Sequence, residues 1–182
     1  IKKNYKIDEG MSKYEIACSM SHIKAIEIAY NNDLDHVLIF EDDVRFDYLK
    51  YHTISIESLI DKLLSLNGDC IQLSCTLNTK QIKFIINHKD LLIKYNISGG
   101  TVAYLITKNG MKKILDNYYN NKIIERAEPI IYKKLNNYIC KPYFTYDFYK
   151  QNKSFIRRNV KSTHTTQTIS KKAWDNYYGI NN

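Results

Sequence analysis

The chain has 182 residues and a formal net charge of +8, and 44% of its residues are hydrophobic. This length and apolar content suffice for one domain with a substantial core, so we expect residues 1–182 to form a single domain. No stretch is apolar enough to cross a bilayer, and the first residues, Ile1-Lys2-Lys3-Asn4, do not resemble a signal peptide. The composition thus argues against a membrane-spanning protein, and we expect a cytoplasmic location.

The cysteines offer no obvious metal or disulfide motif. Cys18, Cys70, Cys75 and Cys140 form no Cys-x-x-Cys pair, and we find no histidine at zinc-ligand spacing to them. We therefore expect reduced, mostly buried thiols.

The first predicted element is a helix from Ser12 to about Tyr30. Ser12 is a suitable N-cap, and Glu15 three residues later completes a capping box. Apolar residues recur at helical spacing along it, namely Ile16, Met20, Ile23 and Ile26. His22 lies in mid-helix, where a structural role is more common than a catalytic one.

The next segment is a short apolar run, His36 to Phe40, that ends at three carboxylates. Its length and composition predict a buried central strand, and ligands bind at the carboxyl ends of strands in open α/β sheets. In an extended backbone Glu41 and Asp43 share a face while Asp42 points away. This acid-x-acid pattern suits a hard divalent cation, although an isolated acidic loop is more often simply solvated.

Alternating helical and strand patterns continue along the chain. They predict a helix over 55–66, strands over 70–74, 81–87 and 91–97, a helix from Lys108, a helix following Pro129, a strand over 138–140 and a terminal helix around Trp174. Gln72 and Ser74 would share one face of their strand. This alternation indicates an α/β fold with a mostly parallel sheet flanked by helices.

A glycine pair, Gly99-Gly100, precedes a further buried strand that ends at Thr107. Glycine allows the backbone to approach a ligand closely, but a simple tight turn explains the pair equally well. The spacing and the lysine of a phosphate loop are absent.

The excess positive charge is concentrated in a basic C-terminal segment that begins at about residue 150. Between 150 and 172 there is no acidic residue, and the cations are Lys150, Lys153, Arg157, Arg158, Lys161, Lys171 and Lys172. A solvated face, a phosphate-bearing substrate, an anionic membrane surface or nucleic acid would each fit. Nucleic acid ranks last, because the three consecutive carboxylates would repel a phosphate backbone.

Three segments, in the same order and spacing, resemble glycosyltransferase family 25, which includes lipooligosaccharide galactosyltransferases and collagen-type galactosyl- and glucosyltransferases. Residues 14–22, YEIACSMSH, resemble its helix Gly-Glu-Ile-Gly-Cys-x-x-Ser-His. Residues 37–44, VLIFEDDV, resemble its strand ending in Glu-Asp-Asp, and residues 100–110, GTVAYLITKNG, resemble its Gly-Thr-x-Ala-Tyr-Leu-Ile-x-x-x-Gly segment. Each segment alone is weak evidence, but together they are specific and cover roughly residues 14–142.

This resemblance implies a GT-A-like fold and transfer of a hexose, galactose or glucose, from a UDP-sugar to a hydroxyl of a glycan or protein acceptor with inversion. Asp43 would hold Mn²⁺ or Mg²⁺ on the donor diphosphate, and Glu41 would hold the metal or the ribose. The residues expected to contact donor or substrate are Asp42, Gln72, Ser74, Gly100, Thr101, Tyr104 and Arg157. The basic segment could also support peripheral contact with an anionic membrane.

The chain departs from the family pattern in two places. The family's Pro-x-Asp is replaced by Pro129-Ile130-Ile131, so Glu128 and Asp147 are the candidates for the catalytic base. The family's N-terminal strand-helix unit, which contacts the nucleotide base, has no counterpart before Ser12. These departures favour the alternative hypothesis, a non-catalytic sugar- or nucleotide-binding module.

Overall fold

A computed structural model describes residues 5–95, 99–146 and 161–180, with side chains in the last range described from residue 166. Its elements follow the chain in the order β1 (Lys6–Ile7), α1 (Lys13–Asn31), β2 (His36–Phe40), β3 (Val44–Arg45), a 3₁₀ turn (Leu49–Tyr51), α2 (Ile56–Ser65), β4 (Cys70–Gln72), α3 (Thr79–Asn87), β5 (Ile93–Lys94), β6 (Ala103–Thr107), α4 (Lys108–Asn121), β7 (Ile123–Ile124), α5 (Ala127–Tyr132), β8 (Asn137–Ile139), β9 (Thr145–Tyr146) and α6 (Lys161–Tyr177).

The structure confirms the predicted start of α1. The Ser12 hydroxyl accepts a hydrogen bond from the Glu15 backbone N–H, and the Glu15 carboxylate accepts one from the Ser12 N–H. Arg126 Nε donates to the same carboxylate over 2.8 Å, which ties the start of α1 to the start of α5. The backbone N–H of Ser12 and the Arg126 guanidinium both lower the pKa of Glu15, so the carboxylate that completes the cap stays ionised.

The central sheet has five described strands in the order β2-β6-β4-β8-β5. Only β4 and β8 pair in parallel, while the β2–β6, β4–β6 and β5–β8 pairs are antiparallel. The sheet is therefore mixed, and the expectation of a mostly parallel sheet was wrong. Strand β6 inserts between β2 and β4 in the opposite direction, which an alternation of helix and strand patterns does not reveal.

Despite this mixture, β2, β4 and β8 run in the same direction, since β2 and β4 are both antiparallel to β6. Their carboxyl ends therefore lie on the same side of the sheet, and α/β folds bind ligands at the carboxyl ends of their strands.

Strand β2 lies at the edge of the described sheet rather than at its centre, contrary to the sequence-based prediction. Its apolar composition has another cause. Val37 and Ile39 join the core cluster beneath α1 and α4, whereas Leu38 joins the cluster beneath α2 on the opposite face. Both faces are therefore covered by apolar side chains, although no described strand pairs with the outer edge of β2.

The predicted strand over 81–87 was also wrong, because this segment belongs to helix α3. The Asn78 side chain accepts from Gln81 N at 3.0 Å and Gln81 Oε1 accepts from Asn78 N at 2.9 Å, which forms a second capping box. Ile82 and Ile85, three positions apart, bury their side chains against the third core cluster, beside Trp174 of α6. Helical spacing and a cap thus decide the element.

Helix α1 packs across one face of the sheet and also contacts α4 and α5. Its Ile23 and Ile26 share a core cluster with Ile39 of β2 and with Tyr104 and Ile106 of β6. This packing fixes the middle of α1 over the carboxyl end of β2. None of the described helices has the length and apolar character needed to span a membrane.

Candidate functional site

The three carboxylates lie in a tight turn rather than in an extended strand. The backbone N–H of Val44 donates to the carbonyl of Glu41 over 3.3 Å, which closes a turn over residues 41–44 that we call the acidic turn. The prediction that Glu41 and Asp43 share a strand face was therefore wrong, since strand alternation stops at Phe40.

The acidic turn is anchored on both sides. On one side, Glu41 N–H donates to Val102 O over 2.9 Å, which extends the pairing of β2 with β6. On the other side, β3 begins at Val44 and pairs with Tyr146 of β9. Asp42 is exposed and Asp43 half-buried. Backbone hydrogen bonds on both sides thus hold the carboxylates at the carboxyl end of β2.

The Glu41 carboxylate turns inward and enters a hydrogen-bond network. Its Oε1 accepts from the hydroxyl of Thr101, which is buried, and lies 3.1 Å from His22 Nε2. The other ring nitrogen of His22, Nδ1, lies 3.0 Å from the hydroxyl of Tyr104. Four residues from α1, the acidic turn, the loop before β6 and β6 itself are joined in this way.

The chemistry of these groups limits where the protons lie. Burial raises the pKa of Tyr104 well above its ordinary value, so its hydroxyl stays protonated beside Nδ1 of His22. A carboxylate can only accept, so His22 Nε2 donates to Glu41 where the two atoms pair. Glu41 Oε1 thus accepts two hydrogen bonds, one from His22 and one from Thr101.

Cys18 completes a group of potential metal ligands that the sequence-based reasoning missed. One ligand atom from each of Cys18, His22 and Glu41 lies within 4.8 Å of the others. The signal was present in the sequence, since a spacing of four residues places Cys18 and His22 on the same face of a helix. The expectation that no histidine stands at metal-ligand spacing to a cysteine was wrong on this point.

The other cysteines match the prediction of reduced, buried thiols. None of the four cysteines, all of which lie in the described residues, forms a disulfide. Burial raises the pKa of Cys75 to about 12 and that of Cys140 still further, so both remain protonated and unreactive.

The glycine pair positions a backbone carbonyl beside this network. Gly100 adopts φ +95°, which side chains disfavour, and its carbonyl accepts from Gln72 Nε2 at 2.9 Å and from the Tyr132 hydroxyl at 3.1 Å. Gly99 O accepts from Thr76 N at 2.9 Å. These hydrogen bonds anchor the segment from which the Thr101 hydroxyl donates to Glu41.

The structure therefore brings together six of the residues considered from the sequence: Glu41, Thr101, Tyr104 and His22 directly, and Gln72 and Gly100 through the segment before β6. Asp42 and Asp43 lie in the same turn as Glu41. Ser74 is buried beyond β4, and its backbone N–H donates to Ala103 O.

The remaining predicted site residues are the candidates for the catalytic base and the basic contact. Glu128 is half-buried in the first turn of α5. Asp147 and Arg157 lie outside the described residues, as do Lys150, Lys153 and Arg158, and the side chain of Lys161 is likewise outside them.

The chain matches the model of a known protein family. Residues 1–130 match the family model of glycosyltransferase family 25, described as an LPS biosynthesis protein. Because the match covers most of the chain, the chain belongs to this family.

The chain is also similar to a protein of Haemophilus influenzae that bears the name "Putative glycosyltransferase". The two are 24% identical over 123 residues, which is 68% of this chain and 43% of the relative. The chain thus spans less than half the length of the curated relative it matches.

Proposed function

We propose that this chain carries the donor-binding part of a metal-dependent glycosyltransferase. The reaction would move a hexose, galactose or glucose, from a UDP-sugar to a hydroxyl of a glycan or protein acceptor with inversion. The observation that carries the proposal is the acidic turn, fixed by backbone hydrogen bonds on both sides at the carboxyl end of β2 in a chain of family 25.

The residues of the acidic turn suit a hard cation. Asp42 and Asp43 offer only oxygen ligands, which Mn²⁺ and Mg²⁺ prefer, and Asp43 is the residue we assign to the ion. When bound, such an ion neutralises the charge that builds on a departing diphosphate. Glu41 supports the site differently, since its Oε1 is held by Thr101 and His22 and thereby fixes the turn.

The acceptor hydroxyl needs a base in an inverting transfer. Glu128 and Asp147 remain our two candidates for this role. If neither serves, the chain would bind a nucleotide sugar without turning it over, which is the alternative function. Binding and turnover must therefore be measured separately.

Isothermal titration with UDP-galactose and UDP-glucose, with and without Mn²⁺, tests the proposal. We expect binding that requires Mn²⁺ and that is lost in Asp43→Asn, which keeps the side-chain shape but removes the charge. Asp61→Asn is the matched control, because Asp61 is exposed on α2. Metal-independent binding, or equal binding by both variants, would contradict the proposal. A coupled assay of UDP release with and without acceptor then separates transfer from binding alone.

A further inference from the structure

We propose that Cys18, His22 and Glu41 form a second metal site, distinct from the diphosphate ion and selective for a borderline transition metal, Zn²⁺. The inference rests on the ligand group itself and does not depend on the proposed glycosyl transfer.

The geometry of the three ligands fits such an ion. Tetrahedral Zn²⁺ holds sulfur at about 2.3 Å and nitrogen or oxygen at about 2.0–2.2 Å, so its ligand atoms stand about 3.3–3.8 Å apart. The ligand atoms of Cys18, His22 and Glu41 already lie within 4.8 Å of one another, with His22 Nε2 and Glu41 Oε1 3.1 Å apart. Small rotations about side-chain bonds would therefore complete the site without moving the backbone.

The backbone also presents the ligands in a favourable arrangement. Cys18 and His22 are one helical turn apart on α1, and Glu41 approaches from the end of β2. Two ligands from one helix face and a third from a neighbouring element leave a fourth position for water or another ligand. Ile23 and Ile26 of α1 pack in the same core cluster as Ile39 of β2, which fixes the position of the helix relative to this strand.

The neighbouring hydrogen bonds are those that a metal site requires. Ligating histidines usually hold their second ring nitrogen in a hydrogen bond, and ligating carboxylates are themselves hydrogen-bonded. Here Tyr104 holds Nδ1 of His22, and Thr101 donates to Glu41.

Metal binding must release protons. A metal on Nε2 displaces any proton from that nitrogen, and Nδ1–H can then donate a hydrogen bond to the Tyr104 oxygen, because a phenol is both donor and acceptor. Cys18 must lose its thiol proton to become a ligand, so at least one proton is released for each metal bound.

The ligand types separate this site from the one proposed for the donor. Thiolate and imidazole favour Zn²⁺ or Co²⁺ over Mg²⁺ and Mn²⁺, which prefer oxygen alone. A bound Zn²⁺ would link α1 to the acidic turn through Glu41 and would brace the turn that carries Asp43.

Cobalt absorption spectroscopy on the whole chain tests the proposal without nucleotide or sugar. Co²⁺ bound through Cys18 should show sulfur-to-metal charge-transfer absorption in the near ultraviolet and intense visible bands of tetrahedral coordination, and one equivalent of Zn²⁺ should bleach both. The charge-transfer absorption should disappear in Cys18→Ser but persist in Cys75→Ala, a buried cysteine in a different core cluster. His22→Gln should weaken Co²⁺ binding at least tenfold, whereas His36→Gln, at an exposed histidine, should not.

Several results would overturn the inference. They are the absence of charge-transfer absorption in the folded chain, its persistence in Cys18→Ser, and its bleaching by Mg²⁺ as readily as by Zn²⁺. Cys18 is only half-buried, so its serine variant should fold, and circular dichroism verifies this. Because no nucleotide is present, a negative result would leave the UDP-sugar proposal intact, and a failure of UDP-sugar binding would leave this one intact.

Discussion

The hydrogen bond from Thr101 to Glu41 allows the most direct quantitative test of the site network. Thr101→Val keeps the side-chain shape but removes the hydroxyl that donates to the carboxylate. Thr101 is only 5% exposed, so water cannot readily replace the lost donor. A hydrogen bond to a charged group is worth about 1.5–3 kcal/mol, and we expect the free energy of unfolding to fall by about 2 kcal/mol.

A double-mutant cycle isolates this interaction from other effects. Urea unfolding of the wild type, Thr101→Val, Glu41→Ala and the double variant should give a coupling energy of about 1.5 kcal/mol. The loss of the His22 contact occurs in both backgrounds that lack Glu41 and therefore cancels. Thr101→Ser, which keeps the hydroxyl, should retain the coupling. A coupling below about 0.5 kcal/mol, the limit of ordinary additivity, would refute the network as described.

Three further predictions concern the scaffold. Asp69, fully buried, accepts hydrogen bonds from Lys113 Nζ at 2.6 Å and from two other donors, so Asp69→Ala should cost about 3 kcal/mol in urea unfolding. Asp116→Ala is the control: Asp116 pairs with Lys112 on the exposed surface of α4, the helix that also carries Lys113, and its loss should leave the unfolding midpoint nearly unchanged. Gly110→Ala should lower the free energy of unfolding by about 1–3 kcal/mol, because a Cβ there would lie 2.7 Å from the Asp69 carbonyl oxygen. This loss should outweigh the better helix propensity of alanine. A gain in melting temperature would contradict the prediction. Burial lowers the pKa of His52 below its usual 6.5, so as the pH falls the imidazole is protonated in the unfolded chain before it is protonated in the folded chain. The free energy of unfolding should therefore decline below pH 6.5 until the folded-state pKa is passed. An equally steep decline in His52→Phe would contradict the assignment.

Local sequence signals predicted several elements correctly. The Ser12 and Glu15 capping box and the apolar stripe gave helix α1 nearly to its observed end at Asn31. The abrupt change from Phe40 to Glu41 placed the carboxylates at the end of β2. These features depend on neighbours within a few residues, which the sequence shows directly.

The errors concern contacts between distant segments and one overlooked local cap. The predicted strand directions were wrong because tertiary contacts place β6 between β2 and β4. The segment over 81–87 is a helix rather than the predicted strand, because Asn78 and Gln81 form a capping box that starts it. The inward turn of Glu41 depends on His22 and Thr101, which are 19 and 60 residues away along the chain, so no local pattern could reveal it.

The central claim is that the acidic turn holds a divalent ion on the donor diphosphate. Electron paramagnetic resonance of Mn²⁺ measures this directly, because the signal of the free ion falls as the ion binds. We predict that UDP and the chain together remove the free signal more strongly than either alone, and that UDP with a ¹⁷O-labelled β-phosphate broadens the bound signal. Asp43→Asn should abolish this cooperative binding, whereas Asp61→Asn should retain it. Cooperative binding that persists unchanged in Asp43→Asn would contradict the account.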